Sequence, residues 1–386
     1  MAPQTLVLGG GIGGLSLARE LARRGLPVTV LERAPKLVPL GAGIIMNPNA
    51  MRVLEQNGLA DLLRARGWPY LLRETCDARG RRLARRDYRP LYAAGKIAVG
   101  ALVHRAHLHH ALHDGLPPAT VRFGVRVAAI DVDTERVRVR SDTGETFDGD
   151  LLVGADGIRS QVRETLFEGR PPVYLGYRSH RMVVENADRV EHFTEFYGCG
   201  QRVGLVPISV TELYVWTTFN SSLESAAAVG EVGELRARFR EFTDPRVRGA
   251  LGRVASSDDV LCTDIEEVHQ PEWVRGRAVL LGDAAHALTP NMGQGAGMAM
   301  EDAAVLAEEL AAVGAGSRPL ATALASYVAR RRRRVETVMR LSREVGEEGQ
   351  LTGRVACWLR NRRLRRDGRD VTRLEVALER LLAYPI

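Results

Sequence analysis

The chain has 386 residues, of which 45% are hydrophobic and 26% charged, and its formal net charge is +7. This composition is typical of a globular protein of about two or three domains, and it excludes disordered, collagen-like and disulfide-rich classes. No apolar run reaches the roughly 18 residues of a transmembrane helix, and no signal peptide precedes the first strand, so a cytoplasmic protein is predicted.

The cysteines and the basic residues add little to a functional prediction. Cysteines occur at positions 76, 199, 262 and 357, without the spacing of a metal site, so no metal is predicted. Nearly all positive charge is arginine, concentrated in RRRRR at 330–334 and RNRRLRR at 360–366. These runs are typical of solvated helix faces, with peripheral contact to an anionic membrane as the alternative. No nucleic-acid motif accompanies them, so no nucleic-acid partner is predicted.

The first 32 residues predict a βαβ unit that binds a dinucleotide. A short apolar strand at 4–9 leads into GGGIGG, then into an amphipathic helix, and PVTVLE forms the next strand. Gly9, Gly11 and Gly14 form G-x-G-x-x-G, in which the glycines permit a tight turn, close approach of a pyrophosphate and close packing of helix on strand. Glu32 ends the second strand, where an acid accepts hydrogen bonds from a ribose.

The middle of the chain changes in character. A loop and a helix are predicted over 41–66 and a histidine-rich helix over 102–115. Alternating strands follow over 120–153, with a hairpin turn at DTG, 142–144. Residues 174–220 contain several aromatic-rich strands without an intervening helix, which predicts an antiparallel sheet. Helices are predicted over 231–242, 244–251 and 294–313, a buried strand at RGRAVLLGD before the third of these, and a mostly helical tail from 322.

Two further motifs follow apolar strands. DLLVGADGIRSQVR, 150–163, contains Asp156-Gly157, and LLGDAAHALTPNMGQGAGMAMEDA, 280–303, contains Gly282-Asp283. With G-x-G-x-x-G near the N-terminus, this order and spacing resembles the class A, single-component FAD-dependent monooxygenases of the p-hydroxybenzoate hydroxylase fold. The resemblance covers residues 1 to about 345 and is strongest to the salicylate hydroxylase and zeaxanthin epoxidase-like branch.

The resemblance implies an α/β fold in which a Rossmann-like FAD-binding domain is interleaved with an antiparallel-sheet substrate domain and followed by a helical C-terminus. The expected FAD-binding domain comprises 1–72, 98–173 and 260–345. The expected substrate domain comprises 73–97 and 174–259, and C-terminal helices occupy 346–386.

The resemblance also implies roles for individual residues. Asp283 would bind a ribityl hydroxyl, Arg105 would contact the cofactor, and Asp156 would lie near FAD and NAD(P)H. Pro290 and the Gly293-Gln294-Gly295 loop would lie against the isoalloxazine ring. The full set of predicted cofactor-binding residues is Gly9, Gly11, Gly13, Gly14, Glu32, Arg33, Arg105, Asp156, Gly157, Gly282, Asp283, Pro290, Gly293, Gln294, Gly295 and Ala296.

The implied reaction uses NADH or NADPH and O2 to hydroxylate an aromatic or polycyclic small molecule through a C4a-hydroperoxyflavin, in a monomer or homodimer. The substrate would lie between flavin and the antiparallel sheet, where the candidate pocket residues are Arg178, His180, Arg181, Tyr197, Arg202, Tyr214 and Trp216. The predicted catalytic residues are Pro290, Gly293, Gly295, His180, Arg181 and Tyr214. His180 and Tyr214 are alternative bases for a phenolic substrate.

One histidine and two acidic residues in the third motif are predicted to have structural rather than catalytic roles. His286 is predicted to be a structural histidine, and Glu301 and Asp302 to stabilise the start of a helix. Two other functions stay open. One is an epoxidase, hydroxylase or reductase acting on an isoprenoid or other lipid at a membrane surface. The other is a non-catalytic FAD-fold binding protein, against which the three intact motifs argue.

Overall fold

The computed structural model describes residues 2–37, 42–223, 231–368, 379 and 381–383. Within these ranges the strands are β1 (Thr5–Leu8), β2 (Val28–Glu32), β3 (Gly43–Met46), β4 (Trp68–Pro69), β5 (Leu72–Asp77), β6 (Arg82–Asp87), β7 (Ala101–His104), β8 (Val121–Phe123), β9 (Val127–Val132), β10 (Val137–Ser141), β11 (Thr146–Gly149), β12 (Leu151–Gly154), β13 (Val173–Glu185), β14 (Phe193–Tyr197), β15 (Gln201–Pro207), β16 (Glu212–Asn220), β17 (Leu261–Glu267), β18 (Val274–Arg275) and β19 (Ala278–Leu280).

The α-helices of the same ranges are α1 (Ile12–Arg23), α2 (Pro48–Gln56), α3 (Ala60–Arg66), α4 (Arg89–Ala93), α5 (Arg105–His113), α6 (Gln161–Leu166), α7 (Val232–Arg238), α8 (Pro245–Gly252), α9 (Asp283–His286), α10 (Gly295–Gly314), α11 (Leu320–Gly349) and α12 (Arg354–Asp367). Short 3₁₀ turns occupy Ser257–Asp259 and Pro290–Met292. No helix in the described ranges has the length and apolar character needed to cross a membrane.

The predicted βαβ unit lies at the centre of a six-stranded sheet with the order β18-β19-β12-β1-β2-β8. β1 is hydrogen-bonded in parallel to β2 on one side and to β12 on the other. Its four residues, TLVL, are all buried, as expected for a parallel strand covered on both faces. The three predicted motifs follow β1, β12 and β19, which are neighbours in this sheet, so the carboxyl ends of these strands bring the motifs together.

A second, seven-stranded sheet has the order β17-β13-β16-β15-β14-β5-β6. Neighbouring strands are antiparallel except for β14 and β5, which pair in parallel. One face packs on α7 and α8 through a core that includes Met182, Val215 and Phe239. The opposite face carries Tyr214 and Trp216 and packs in a different cluster with Leu102 of β7. The α/β architecture with a helical C-terminal part is therefore as predicted.

The structure refines several boundaries. Residues 102–115 contain the end of β7 before α5 begins, so helix covers only the second part of that predicted segment. β17 pairs with β13 in the seven-stranded sheet. We therefore propose that the substrate domain extends to about residue 267, rather than ending at 259 as expected, while 73–97 belongs to it through β5 and β6. Much of the predicted C-terminal segment, 369–378, 380 and 384–386, lies outside the described residues.

Candidate active site

The glycine loop between β1 and α1 packs tightly on one side and is open on the other. A Cβ added at Gly14 would lie 2.0 Å from the carbonyl oxygen of Gly9, whereas one added at Gly11 would meet nothing within 4 Å. Glu32 fixes the loop, since its Oε2 accepts a hydrogen bond from the Gly10 N–H at 2.6 Å. Its Oε1 accepts from the Ala34 N–H, and each oxygen keeps a second lone pair for a ligand hydroxyl.

The second motif lies directly against this loop. Gly9 has φ +104°, and a Cβ there would lie 2.4 Å from the Ala155 carbonyl oxygen, so the chain crossing requires glycine. The carboxylate of Asp156 accepts hydrogen bonds from Ser160 Oγ at 2.5 Å and from the Val162 N–H at 3.1 Å. Asp156 therefore holds its own turn and the start of α6, and its proximity to the glycine loop is through the backbone.

Arg105 and Asp283 come together from distant parts of the chain. Arg105 begins α5 and Asp283 begins α9, and both are exposed although protein surrounds them on most sides, as in a concave site. Burial raises the pKa of the Asp283 carboxyl, opposed by His286 and Arg105. Desolvation likewise lowers the pKa of Arg105, opposed by Asp283. These two groups are an accessible acceptor and donor, close enough to interact electrostatically.

The loop before α10 is held in place by the side-chain amides of two asparagines, Asn47 and Asn49. Gly293 adopts the left-handed conformation at φ +62°, and its carbonyl oxygen accepts a hydrogen bond from Asn47 Nδ2 at 2.8 Å. Gln294 is buried and its Oε1 accepts from Asn49 Nδ2 at 2.9 Å. Pro290 is exposed, and a Cβ at Gly295 would meet nothing within 4 Å, so the upper side of the loop and the N-terminal amides of α10 are open.

A buried ion cluster lies beneath this loop. Arg331 of α11 donates from Nη1 to Glu301 Oε2 at 2.6 Å and from Nε to Asp302 Oδ1 at 2.7 Å. Arg334 also binds Glu301, and His286 contacts Asp302 with its Nε2 at 2.6 Å. Burial would raise the pKa of the Asp302 carboxyl, but His286 and Arg331 outweigh it and lower the pKa to about 2.

This cluster changes two expectations. His286 is a buried structural histidine, as predicted, but Glu301 and Asp302 are fully buried ion-pair partners rather than surface acids at a helix start. The arginine run at 330–334 is likewise no uniform solvated face. Arg331 is fully buried and Arg334 nearly so, while Arg333 is exposed.

Strand alternation divides the candidate pocket residues between two faces of the seven-stranded sheet. Arg178 and His180 lie on the face covered by α7 and α8. His180 is 2% exposed, stacks on Phe219 at a centroid distance of 4.8 Å, and shares a hydrogen bond with Thr217 Oγ1. His180 therefore lies in the core beneath α7 and α8, on the sheet face opposite to Tyr214, and this position argues against the expectation that it is a substrate base.

The opposite face carries the remaining candidates, Arg181, Tyr197, Arg202, Tyr214 and Trp216. Tyr214 is close enough to Arg105 and Arg181 that both charges act on its hydroxyl. Burial nevertheless raises the pKa of Tyr214, so the phenol stays protonated at neutral pH and is a hydrogen-bond donor rather than a base. The raised pKa favours the role of a hydrogen-bond donor for Tyr214 over the predicted role of a base.

Arg202 connects this sheet face to the flavin-side loop. Its guanidinium is buried between Trp216 and Tyr197, at 5.6 and 5.8 Å from their ring centroids, and it pairs with Glu195 at 3.1 Å. Its Nη2 donates to Asn291 Oδ1 in the turn that begins at Pro290. A cavity of about 940 Å³ opens beside Asn291 and is lined there by Met292 and Gln294.

These residues fit a flavin dinucleotide. Gly11, Gly157 and Gly295 come from the three motifs, and a Cβ on any of them would meet nothing within 4 Å. The start of α1 offers amides to a pyrophosphate, and Asp283 offers an exposed acceptor to a polyol hydroxyl. The remaining predicted residues lie in the same segments, and among them Arg33 is exposed. Within those residues no cluster suited to a metal ion occurs.

Some residues of this site were not predicted. His109 contacts the Gly10 carbonyl oxygen with its Nε2 at 2.8 Å and so fixes the glycine loop from α5. It lies four residues after Arg105, a spacing that places both on one helix face and offered a usable signal. Asn47, Asn49 and Asn291 gave no comparable signal, because their partners lie elsewhere in the chain.

Comparison with known proteins supports the same assignment. The family model described as "FAD binding domain" matches residues 3–342. The chain is 36% identical to the aurachin C monooxygenase/isomerase of Stigmatella aurantiaca, over 93% of each chain. It is 34% identical to the 2-heptyl-3-hydroxy-4(1H)-quinolone synthase of Pseudomonas aeruginosa, over 92% of each chain.

A solved structure is similar over nearly the whole chain. Klebsiella pneumoniae HpxO complexed with FAD and uric acid superimposes with a TM-score of 0.86 at 28% identity, covering 99% of this chain and 97% of that one. The family match, the relatives and this fold agree with the three motifs around one open cradle. The chain therefore belongs to the FAD binding domain family, within the class A FAD-dependent monooxygenases of the p-hydroxybenzoate hydroxylase fold.

Proposed function

We propose that this FAD-dependent monooxygenase uses NADH or NADPH and O2 to hydroxylate an electron-rich, oxygen-bearing nitrogen heterocycle. One observation carries the proposal. Arg105, Arg181 and Tyr214 lie close enough to act on one another electrostatically, on the side of the seven-stranded sheet that carries Tyr214 and Trp216. The relatives named for a quinolone and the structure containing uric acid support a ring of this class. They do not favour the alternative of an isoprenoid or lipid as the reacting group.

Bound FAD supplies electron transfer from the nicotinamide and activation of O2. The protein's own contribution is to orient the two rings and to exclude water. The open N-terminal amides of α10, at Gly295 and Ala296, place the positive end of a 20-residue helix beside the expected ring position. The buried cluster around Arg331 holds that helix end in place from below.

The substrate's ring oxygen is activated by charge rather than by a protein base. Arg105 and Arg181 bring two positive charges near the Tyr214 hydroxyl, and a positive environment favours the anionic form of a ring hydroxyl. Tyr214 donates a hydrogen bond to the resulting oxyanion. An anionic ring is more electron-rich and so more reactive towards an electrophilic oxygen.

Replacing Arg181 by methionine tests this role. The acidic limb of the pH profile of kcat/KM is expected to move up by about one pH unit, because loss of a nearby cation raises the pKa of the substrate hydroxyl. Arg178→Met is the matched control, since Arg178 lies on the same strand, faces the other core and pairs with Asp264 at 2.6 Å. Equal shifts in the two variants, or no shift in either, would contradict the proposal.

The reaction itself is tested with FAD-loaded protein and a panel of quinolones, hydroxypyridines, purines and phenols. NADH and NADPH oxidation, O2 uptake and H2O2 release are measured together, and products are analysed for oxygen from labelled O2. We expect one ring class to accelerate NAD(P)H oxidation with little H2O2 and to acquire one labelled oxygen atom. If every compound leaves all consumed O2 as H2O2, the monooxygenase proposal fails.

A further inference from the structure

The cavity beside the flavin-side loop is larger than a ring substrate needs. Its volume is about 940 Å³, near the upper end of the roughly 300–1,000 Å³ typical of sites for whole drug-sized ligands. One end is formed by Asn47, Asn291 and Met292 beside the loop expected to contact the flavin, and the lining continues to Leu364 of α12. A substrate ring bound between the flavin and Tyr214 leaves the outer part of this cavity for another part of the substrate.

An apolar stripe lines one side of the outer part. Leu341 and Val345 lie one turn apart on α11, and Ala356, Leu359 and Leu364 continue the stripe on α12. All five are partly exposed, so their side chains still have apolar surface to bury. Covering such surface with another apolar group is favourable in proportion to the area removed from water.

Aromatic side chains line the opposite side. Tyr70 and Tyr88 pack together at a centroid distance of 4.9 Å, with their hydroxyls 3.3 Å apart, and Tyr197 lies further along the same lining. Each tyrosine is less than a tenth exposed. The two linings therefore enclose a slot between aromatic rings and aliphatic side chains.

Three arginines of the lining are engaged by other protein groups. Arg73 pairs with the buried Glu195, and Arg363 pairs with Glu348. Arg360 donates to the Gly198 carbonyl oxygen at 2.8 Å and lies 5.0 Å from the centre of the Tyr197 ring. These three arginines are thus paired within the protein, which leaves the apolar side chains of this part of the cavity available to a ligand.

We propose that the substrate ring carries an extended alkyl chain and that this chain lies in the slot between Tyr70, Tyr88 and Tyr197 and the stripe on α11 and α12. The inference rests on the proposed function, because it takes the ring held near Arg105, Arg181 and Tyr214 to extend its substituent into the Asn291 end of the cavity. Each methylene buried in the slot is expected to tighten binding by about threefold to fourfold until the slot is filled.

Binding to the FAD-loaded full-length protein is measured from the change in flavin absorption, with 4-quinolone and its 2-methyl, 2-propyl, 2-pentyl, 2-heptyl and 2-nonyl derivatives. Hydroxylation is measured in parallel. We expect the dissociation constant to fall stepwise with chain length. A dissociation constant independent of chain length would overturn the proposal.

Val345→Trp should shorten the slot. This variant is expected to bind the methyl compound as the wild type does and the nonyl compound about 10-fold to 60-fold more weakly, the loss of two to three methylenes' contribution. Val355→Trp is the matched control, because Val355 is 72% exposed on α12 and does not line the cavity. Leu364→Phe provides a second, milder obstruction if Val345→Trp retains less FAD than the wild type. Equal weakening of the methyl and nonyl compounds would contradict the slot.

The two proposals fail differently. If ring compounds are hydroxylated without any dependence on chain length, the slot is wrong and the monooxygenase function stands. If affinity rises with chain length but no compound in the panel gains oxygen, the slot stands and the proposed reaction is wrong.

Discussion

Replacing Gly11 by valine is expected to weaken FAD binding by about 100-fold or more while leaving the apoprotein folded. Gly11 has φ −74° and ψ −174°, which any residue adopts, and it is exposed at the start of α1. A side chain there enters the open space where α1 presents its first amides. Displacing a pyrophosphate from two charge-assisted hydrogen bonds, each worth about 1.5–3 kcal/mol, accounts for this loss.

The neighbouring Gly14→Ala supplies the contrast. Its Cβ would lie 2.0 Å from the Gly9 carbonyl oxygen, so the backbone of β1 and α1 must separate. We expect this variant to lose about 1–3 kcal/mol of unfolding free energy even without FAD. Deflavinated protein is titrated with FAD by fluorescence, and unfolding is followed in urea. Wild-type affinity in Gly11→Val would show that the glycine loop is not the pyrophosphate site.

Replacing Arg331 by methionine is expected to cost about 3–5 kcal/mol of unfolding free energy, because Glu301 and Asp302 stay buried without their shared cation. Arg333→Met, two positions along the same helix, is expected to stay within about 0.5 kcal/mol, because Arg333 is exposed. The unfolding free energies of both variants are measured by urea titration at saturating FAD.

The Arg331 variant should also lose FAD more readily. The cluster lies beneath the loop from Pro290 to Gly295, so a relaxed α10 no longer presents its first amides at a fixed position. Similar unfolding free energies for the two arginine variants would mean that the buried pairs contribute no net stability. Replacing a whole buried ion pair by apolar residues often leaves stability unchanged. Removing only the cation leaves two buried carboxylates without their shared partner, and we therefore expect a loss of stability.

Local spacing was enough to predict the cofactor cradle. The turn glycines, the acid at the end of β2 and the two later motifs each depend on a few consecutive residues after an apolar strand. Because parallel strands present their carboxyl ends at one edge, three such motifs in separate segments meet without further information. Asp283 and Arg105 were predicted from resemblance, and the fold places them close enough to interact electrostatically.

The substrate side depends on information that one segment does not contain. Alternation along β13 separates His180 from Arg181, but it does not say which of them faces the flavin. That is decided by α7 and α8, which cover the His180 face with Phe239 and its neighbours. Tyr214 illustrates the same limit, since burial in the tertiary structure raises the pKa of its hydroxyl and so favours a hydrogen-bond donor over the predicted base.

The sequence by itself determined the βαβ unit and dinucleotide binding, because both are encoded by short-range periodicity and by a motif that needs only a strand before it. The resemblance of the three motifs to a known family added the fold class and FAD. Only the tertiary structure decided which arginines of 330–334 are buried, which face of β13 is covered by α7 and α8, and that Arg202 reaches Asn291 across 89 residues. The physical reason is that burial and pairing are properties of the neighbours that packing brings together, and those neighbours are distant in the chain.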